Sequence, residues 1–307
     1  MRLDDVSGDS SRIEDRRGRG GSGGSGFGGG GLPIGKGGGL IGIVVVLVLA
    51  FLGKGMVGGD GGDGGGGTGV DMGDILGQMG GGPANVAQAP TEATGGDPDA
   101  QYEFIDKLGA VLDDYWEHEL SASGQRFEQP GLVIFDAPTT TGGCGVGQPE
   151  FGPFYCPGDS KIYLDFTFYE KLEDQLGFSG DFAMAYVVAH EYGHHIQNLL
   201  GINDEVTRAG RGASEAEVND LSVRTELQAD CFAGAWARSA FDDQRLEAGD
   251  FEEAITAAKA VGDDAIQRQT TGRVNPEAWT HGSSEDRQQW FQTGFDSGSP
   301  SSCDTFK

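Results

Sequence analysis

Tyr186-Val187-Val188-Ala189-His190-Glu191-Tyr192-Gly193-His194-His195 is the stretch on which the reading of this chain turns. It contains His190-Glu191-x-x-His194, and on a helix residues four apart lie on one face. Two imidazoles at that spacing can grip one metal ion. Glu191, one position along, falls beside such an ion, where it can take a proton from a water molecule. The apolar residues 186–189 predict a buried helix, which supplies the dry, fixed surroundings this chemistry needs. The chain has five histidines, and three of them lie within six consecutive positions, which weighs against a chance match.

A hydrolytic zinc site usually takes three protein ligands and keeps one position open. The longer pattern HExxHxxGxxH is absent, because Gln197 and Leu200 stand where it needs Gly and His. A Glu on a following helix is the other common third ligand, and Glu226-Leu227-Gln228-Ala229-Asp230 fits that role. Glu226 and Asp230 again share one helical face. Glu226 would complete a His190, His194, Glu226 set for Zn2+, and Asp230 would accept the second ring N–H of a ligand histidine. The plainer alternative is a solvated acidic face in an acid-rich chain.

These motifs resemble those of a known family. His190-Glu191-Tyr192-Gly193-His194-His195-Ile196-Gln197, followed by Glu226-Leu227-Gln228-Ala229-Asp230-Cys231-Phe232-Ala233-Gly234-Ala235-Trp236, is similar to the bacterial, membrane-anchored neutral zinc metallopeptidases within the wider gluzincin set. Cys144-Gly145, Gly152-Pro153-Phe154-Tyr155-Cys156-Pro157 and Lys161-Ile162-Tyr163-Leu164-Asp165 resemble its upstream segment. Thr280-His281-Gly282-Ser283-Ser284 and Cys303-Asp304-Thr305-Phe306 resemble its C-terminal segment. The specific likeness covers roughly residues 99–307. It implies a zincin-like fold and peptide hydrolysis. It also implies that residues 161–165 form an edge strand pairing with substrate backbone. His281 becomes a catalytic candidate that could stabilise the oxyanion; the alternative is a helix-end histidine satisfied locally.

Composition divides the chain. Of its 56 glycines, 34 fall in the first 100 positions, and such a segment buries too little apolar surface to offset its ordering entropy. Residues 1–36, with five arginines and five acids before residue 20, read as a disordered cytoplasmic tail. Residues 37–57 carry a nearly continuous apolar run at 40–52, flanked by Lys36 and Lys54. That length suits one transmembrane helix. A cleaved signal peptide fits less well, since no small-residue cleavage site follows closely. Basic residues before the span and acids after it predict a cytoplasmic N-terminus and an extracytoplasmic catalytic domain at a cell membrane. Residues 58–98 read as a Gly-rich flexible linker.

Residues 99–307 are long enough for one domain with its own core. They hold 14 Lys and Arg against 37 Asp and Glu, part of a formal net charge of −27, which excludes nucleic acid as a natural partner. Cys144, Cys156, Cys231 and Cys303 contain no CxxC. Of three possible pairings, Cys144–Cys156 and Cys231–Cys303 are favoured, with four reduced thiols the alternative in a reducing compartment.

The remaining periodicities predict an α+β fold, mainly helical with a small sheet. An amphipathic helix spans Phe104 to Trp116, with His118 a surface residue at its end. Strands are expected at residues 132–135 and 162–166, and a short helix at 168–176. The metal helix should run 181–200 and stop at Gly201, with Gly193 either permitting close approach of another backbone or simply costing some stability, and His195 pointing away from the ligand face. A loop is expected at 202–212. A helix at 214–241 follows, opened by a Ser214/Glu217 capping box, and further helices lie near 250–262 and 276–295. The reading is a membrane-anchored Zn2+ metallopeptidase acting on peptides or proteins, with Glu191 as general base. The alternatives are a degenerate zinc- or peptide-binding scaffold outside the cytoplasm, or an interaction domain in which HExxH is incidental.

Overall fold

The computed structural model describes residues 1–18, 98–149, 152–166 and 180–307. The expected membrane span, the linker up to residue 97 and the short helix at 168–176 lie outside them. No helix among the described residues is long and apolar enough to cross a membrane.

The architecture is α+β, helices packed on one small mixed sheet. The strands are β1 (Ile13–Asp15), β2 (Gly131–Phe135), β3 (Thr139–Thr140), β4 (Val146–Gly147), β5 (Phe154–Cys156) and β6 (Lys161–Asp165). The main sheet has the order β1-β2-β6-β5; β1 and β6 run parallel to β2, and β5 is antiparallel to β6. β3 and β4 form a separate hairpin. β2 and β6 are buried at four of five positions each, as expected for interior strands covered on both faces. The strand at Lys161–Asp165 is therefore central, correcting the expectation of an edge. The loop closed by Cys144–Cys156 folds back and adds β5 outside it, making β5 the edge.

The helices are α1 (Pro98–Ala122), α2 (Asp181–Leu199), α3 (Ile202–Ala209), α4 (Glu215–Asp242), α5 (Asp250–Ala260), α6 (Asp263–Thr271) and α7 (Ser284–Ser297). α1 buries Ile105, Leu108, Leu112 and Trp116 against the sheet residues Leu132, Ile134, Ile162 and Leu164, and against Phe232 and Trp236 of α4. α2 is buried nearly all round, fifteen of its nineteen residues being inaccessible, so its polar motif lies inside the molecule. α4 opens with the capping box at Ser214 and Glu217. The stretch expected as a loop after Gly201 is α3, entered through Gly201 in the left-handed region (φ 74°). The helix expected near 276–295 is broken. Asp263 Oδ2 accepts the backbone N–H groups of Thr280, His281 and Gly282, so the chain bends around that carboxylate, with Gly282 at φ 91°, and α7 starts only at Ser284.

The largest departure from the sequence reading is at the start of the chain. Residues 1–18, expected within a disordered tail, belong to the domain. β1 pairs with β2, and Met1 and Leu3 are buried in the main core. Arg12 reaches between α1 and α2, where it pairs with Asp113 and donates to Tyr192 Oη at 3.0 Å. The Met1 ammonium meets Asp181 at 2.6 Å and Asp250 at 3.2 Å. Four apolar residues spread over thirteen positions show no period, so only their tertiary partners order them. Because β1 and β2 are hydrogen-bonded neighbours, residues 13–15 and 131–135 share one side of any membrane.

Candidate metal centre

α2 and α4 cross where Gly193 faces Ala229: a Cβ on Gly193 would lie 2.9 Å from the Ala229 Cα. This closeness sets α2's ligand face against that of α4. His190 and His194 stand edge to face, ring centroids 4.8 Å apart. His190 Nε2 is 3.2 Å from Glu226 Oε2, and His194 Nε2 is 3.5 Å from Glu226 Oε1. One donor atom from each of the three residues lies within 4.8 Å of the others, and all three residues are buried.

The far sides of both rings are committed elsewhere. His190 Nδ1 is 2.8 Å from Asp230 Oδ1, and His194 Nδ1 is 2.9 Å from Gln197 Oε1. Both Nδ1 atoms donate to these acceptors, which leaves both Nε2 atoms on the Glu226 side as the nitrogens a metal ion would bind once it displaces their protons. Two imidazole nitrogens and one carboxylate are a zinc donor set. Charge agrees: burial alone would lower the His190 pKa, yet Asp230 and Glu226 raise it to about 9. A buried pocket that so strongly favours positive charge fits a dication.

The third acid of the pocket, Glu191, is buried, and burial raises its pKa, against the pull of His194 and His190. The Tyr155 backbone, on strand β5, lies close enough to pull in the same direction. A carboxylate raised in this way is a stronger proton acceptor. Glu226 behaves oppositely: burial opposes its charge, but His194 and His190 hold it well below the usual range.

Asp230 is fully buried and used at both oxygens. Oδ1 accepts from Tyr186 Oη at 2.6 Å as well as from His190; Arg287 reaches Oδ2 through Nε at 2.7 Å and Oδ1 through Nη2 at 2.9 Å. Burial would raise its pKa, but Arg287 and then His190 hold it at about 2. Arg287, from α7, was invisible to sequence spacing, as was Tyr186 in this role. His281 sits in the bend before α7, its Nδ1 3.1 Å from Asp263 Oδ1. Burial lowers its pKa, but the Asp263 bond and then the Glu226 charge raise it, so it lies within electrostatic reach of the ligand set. Asp263 was not foreseen; it carries no motif and acts only through the fold. His195 turns away, donating from Nε2 to the Glu128 carbonyl at 2.6 Å and accepting the Tyr155 hydroxyl at Nδ1. His118 is exposed beside Glu119.

The disulfides are Cys144–Cys156 and Cys231–Cys303, and the second ties the C-terminal tail to α4 one residue beyond Asp230. Among the described residues one other acidic group could approach a cation, Asp181, Asp250 and Glu253; two of its members hold the Met1 ammonium.

Comparison with known sequences gives one family, described as "Putative neutral zinc metallopeptidase", whose profile matches residues 1–306. The match starts at residue 1, not near 99, in keeping with the N-terminal segment's place in the sheet. The chain is 45% identical over 298 residues to uncharacterized protein YpfJ of Escherichia coli strain K12, covering 97% of this chain and 96% of that protein. It is 46% identical over 209 residues to uncharacterized protein Rv2575 of Mycobacterium tuberculosis strain H37Rv, covering 64% and 68%. Uncharacterized protein Mb2605 of Mycobacterium bovis matches to the same extent. No solved structure matches.

Proposed function

Because the chain belongs to the neutral zinc metallopeptidase family, we propose that it hydrolyses peptide bonds with Zn2+ held by His190, His194 and Glu226. The observation that carries this is the convergence of those three buried donors beside the buried carboxyl of Glu191. The ion, when bound, polarises the scissile carbonyl and acidifies water. Glu191 takes the proton of the attacking water and delivers it to the leaving amine. His281, oriented through Nδ1 by Asp263, offers its other ring nitrogen to the oxygen on which negative charge develops. Asp230 and Arg287 hold His190 in place. Among the described residues β5 is the outer strand of the sheet on the Glu191 side, and it would offer backbone groups to an extended peptide, the role the sequence suggests for residues 161–165.

The two disulfides support a compartment outside the cytoplasm. The apolar run at 40–52 supports membrane attachment. With β1 and β2 in one sheet, attachment entered and left from the domain's own side is the compatible form.

The test uses the full chain. About one zinc per molecule is expected, lost in Glu226→Ala, with peptide hydrolysis abolished in a Glu191→Gln variant that keeps its zinc. A folded protein that takes up no zinc when supplied with it would sink the proposal. Zinc binding with no Glu191-dependent cleavage across a peptide library would favour the scaffold alternative.

A further inference from the structure

His190 is oriented by a carboxylate, whereas His194 is oriented by a neutral amide, and that amide does not stand alone. Gln197 Nε2 donates to the Thr225 carbonyl at 2.7 Å and to Gln228 Oε1 at 3.1 Å. Gln228 Nε2 donates in turn to the Cys303 carbonyl at 2.9 Å. Thr225, Gln197, Gln228 and Cys303 are all buried, so no solvent competes for these groups.

The direction of every bond follows from its ends. A backbone carbonyl only accepts, so the Cys303 carbonyl turns the Gln228 amide nitrogen toward itself and leaves Gln228 Oε1 facing Gln197. The Thr225 carbonyl and Gln228 Oε1 both require a donor, so Gln197 presents its NH2 to them and its oxygen to His194. An oxygen facing His194 Nδ1 makes that nitrogen an N–H, and Nε2, toward Glu226, is then the nitrogen left to bind a metal ion. One of the fixing carbonyls is on α4. The other is on the tail, held against α4 by the Cys231–Cys303 disulfide.

We propose that Gln197 and Gln228 are positioning residues, a two-amide relay that sets the tautomer and ring orientation of His194 from backbone carbonyls on α4 and on the disulfide-held tail. The inference rests on the reading of His194 as a metal ligand. The relay adds no charge to the site, unlike Asp230 behind His190. One ligand histidine is thus made more basic by its partner, and the other is only oriented.

The experiment measures zinc affinity of the full chain by competition with a chromophoric chelator. It adds the absorption spectrum of the cobalt-substituted protein and the thermal midpoint of the metal-free form. The variants are Gln197→Met, Gln228→Met, both together, and Gln197→Glu. Met fills the volume without hydrogen bonding. Gln197→Met should weaken zinc binding by roughly 10- to 100-fold, the usual cost of losing such an outer partner, and alter the cobalt spectrum. Gln228→Met should weaken it less, because the Thr225 carbonyl still orients Gln197, and the double variant should bind no worse than Gln197→Met. Gln197→Glu keeps an acceptor for His194 and loses the donors. Its metal-free form should melt lower than wild type while its zinc affinity exceeds that of Gln197→Met, a split that a purely structural role does not give. Wild-type affinity in Gln197→Met, or equal affinities for the Met and Glu variants, would overturn the relay. A wild-type chain that binds no zinc removes the ligand reading itself and the relay with it.

Discussion

Gly193→Ala is the perturbation that most directly tests how the two ligand helices are held. In the present packing a Cβ at residue 193 would lie 2.9 Å from Ala229 Cα, 3.0 Å from Ala229 O and 3.1 Å from Ala229 Cβ. Ordinary contact begins near 3.4 Å, so α2 and α4 must separate by about 0.5 Å. The first two clashing atoms are backbone, which cannot swing aside as a side-chain tip can. Two effects oppose each other in stability. Replacing Gly by Ala inside a helix gains about 1 kcal/mol, and overpacking costs about 1–3 kcal/mol. The net loss for the metal-free protein should be about 0–2 kcal/mol. The metal site is less tolerant. His190 and His194 lie on one helix and Glu226 on the other, and coordination distances hold within about 0.2 Å. Rotation of the Glu226 side chain recovers part of a 0.5 Å gap. Zinc affinity should therefore fall by about 10- to 100-fold, or about 1.4–2.8 kcal/mol. Chelator competition and urea denaturation of the metal-free protein measure the two quantities separately. Adding Ala229→Gly should restore only part of the affinity, since the Ala229 Cα and carbonyl contacts remain. A Gly193→Ala protein that binds zinc within threefold of wild type would refute the claim that this contact sets the ligand spacing.

Other consequences can be checked on the same protein. Arg287→Met strands the fully buried charge of Asp230 and should cost about 3–5 kcal/mol in urea denaturation. Arg287→Met with Asp230→Asn, which removes both charges, should regain most of that loss. The two disulfides should differ in worth because the loops they close differ. Replacing Cys231 and Cys303 by Ala opens a span of 72 residues and should cost about 4 kcal/mol, against about 3 kcal/mol for Cys144 and Cys156, 12 apart. Glu253 supplies a pH dependence. Burial, and then Asp250, raise its pKa from 4.5 to about 7. The folded state therefore resists its ionisation: its stabilising contribution is complete below pH 4.5 and lost as pH rises through 7. Glu253→Gln should raise the melting temperature at pH 8, by about 1 kcal/mol of stability after solvent screening of a half-exposed group, and change little at pH 5. Equal shifts at both pH values would refute this assignment.

The features legible in the sequence were those with a fixed spacing on one element. HExxH, Glu226 with Asp230, and the Ser214/Glu217 capping box depend only on the 3.6-residue turn of a single helix. Interior strands announced themselves as short apolar runs at 132–135 and 162–166. Helix boundaries were less secure. Asp263 capturing three N–H groups ahead of α7 is a contact across some eighteen positions, and no local pattern reports it.

The sequence alone thus determined which groups are available: two histidines and a glutamate at helical spacings, with the Glu191 carboxyl between the histidines. Tertiary structure decided how that chemistry is held. Arg287 meets Asp230 across 57 positions, and Gln228 meets the Cys303 carbonyl across 75. Lys161–Asp165 became a central strand because β5 paired outside it. Composition does not report the order of residues 1–18, since few apolar side chains and many charges do not order themselves. They are ordered by partners supplied more than a hundred residues away: Leu132–Ile134 for β1, Asp113 and Tyr192 for Arg12. A helix repeat is a property of neighbours in the chain, and so it is written in order. The pairing of strands and the satisfaction of buried charges are properties of neighbours in space, which exist only once the chain has closed on itself.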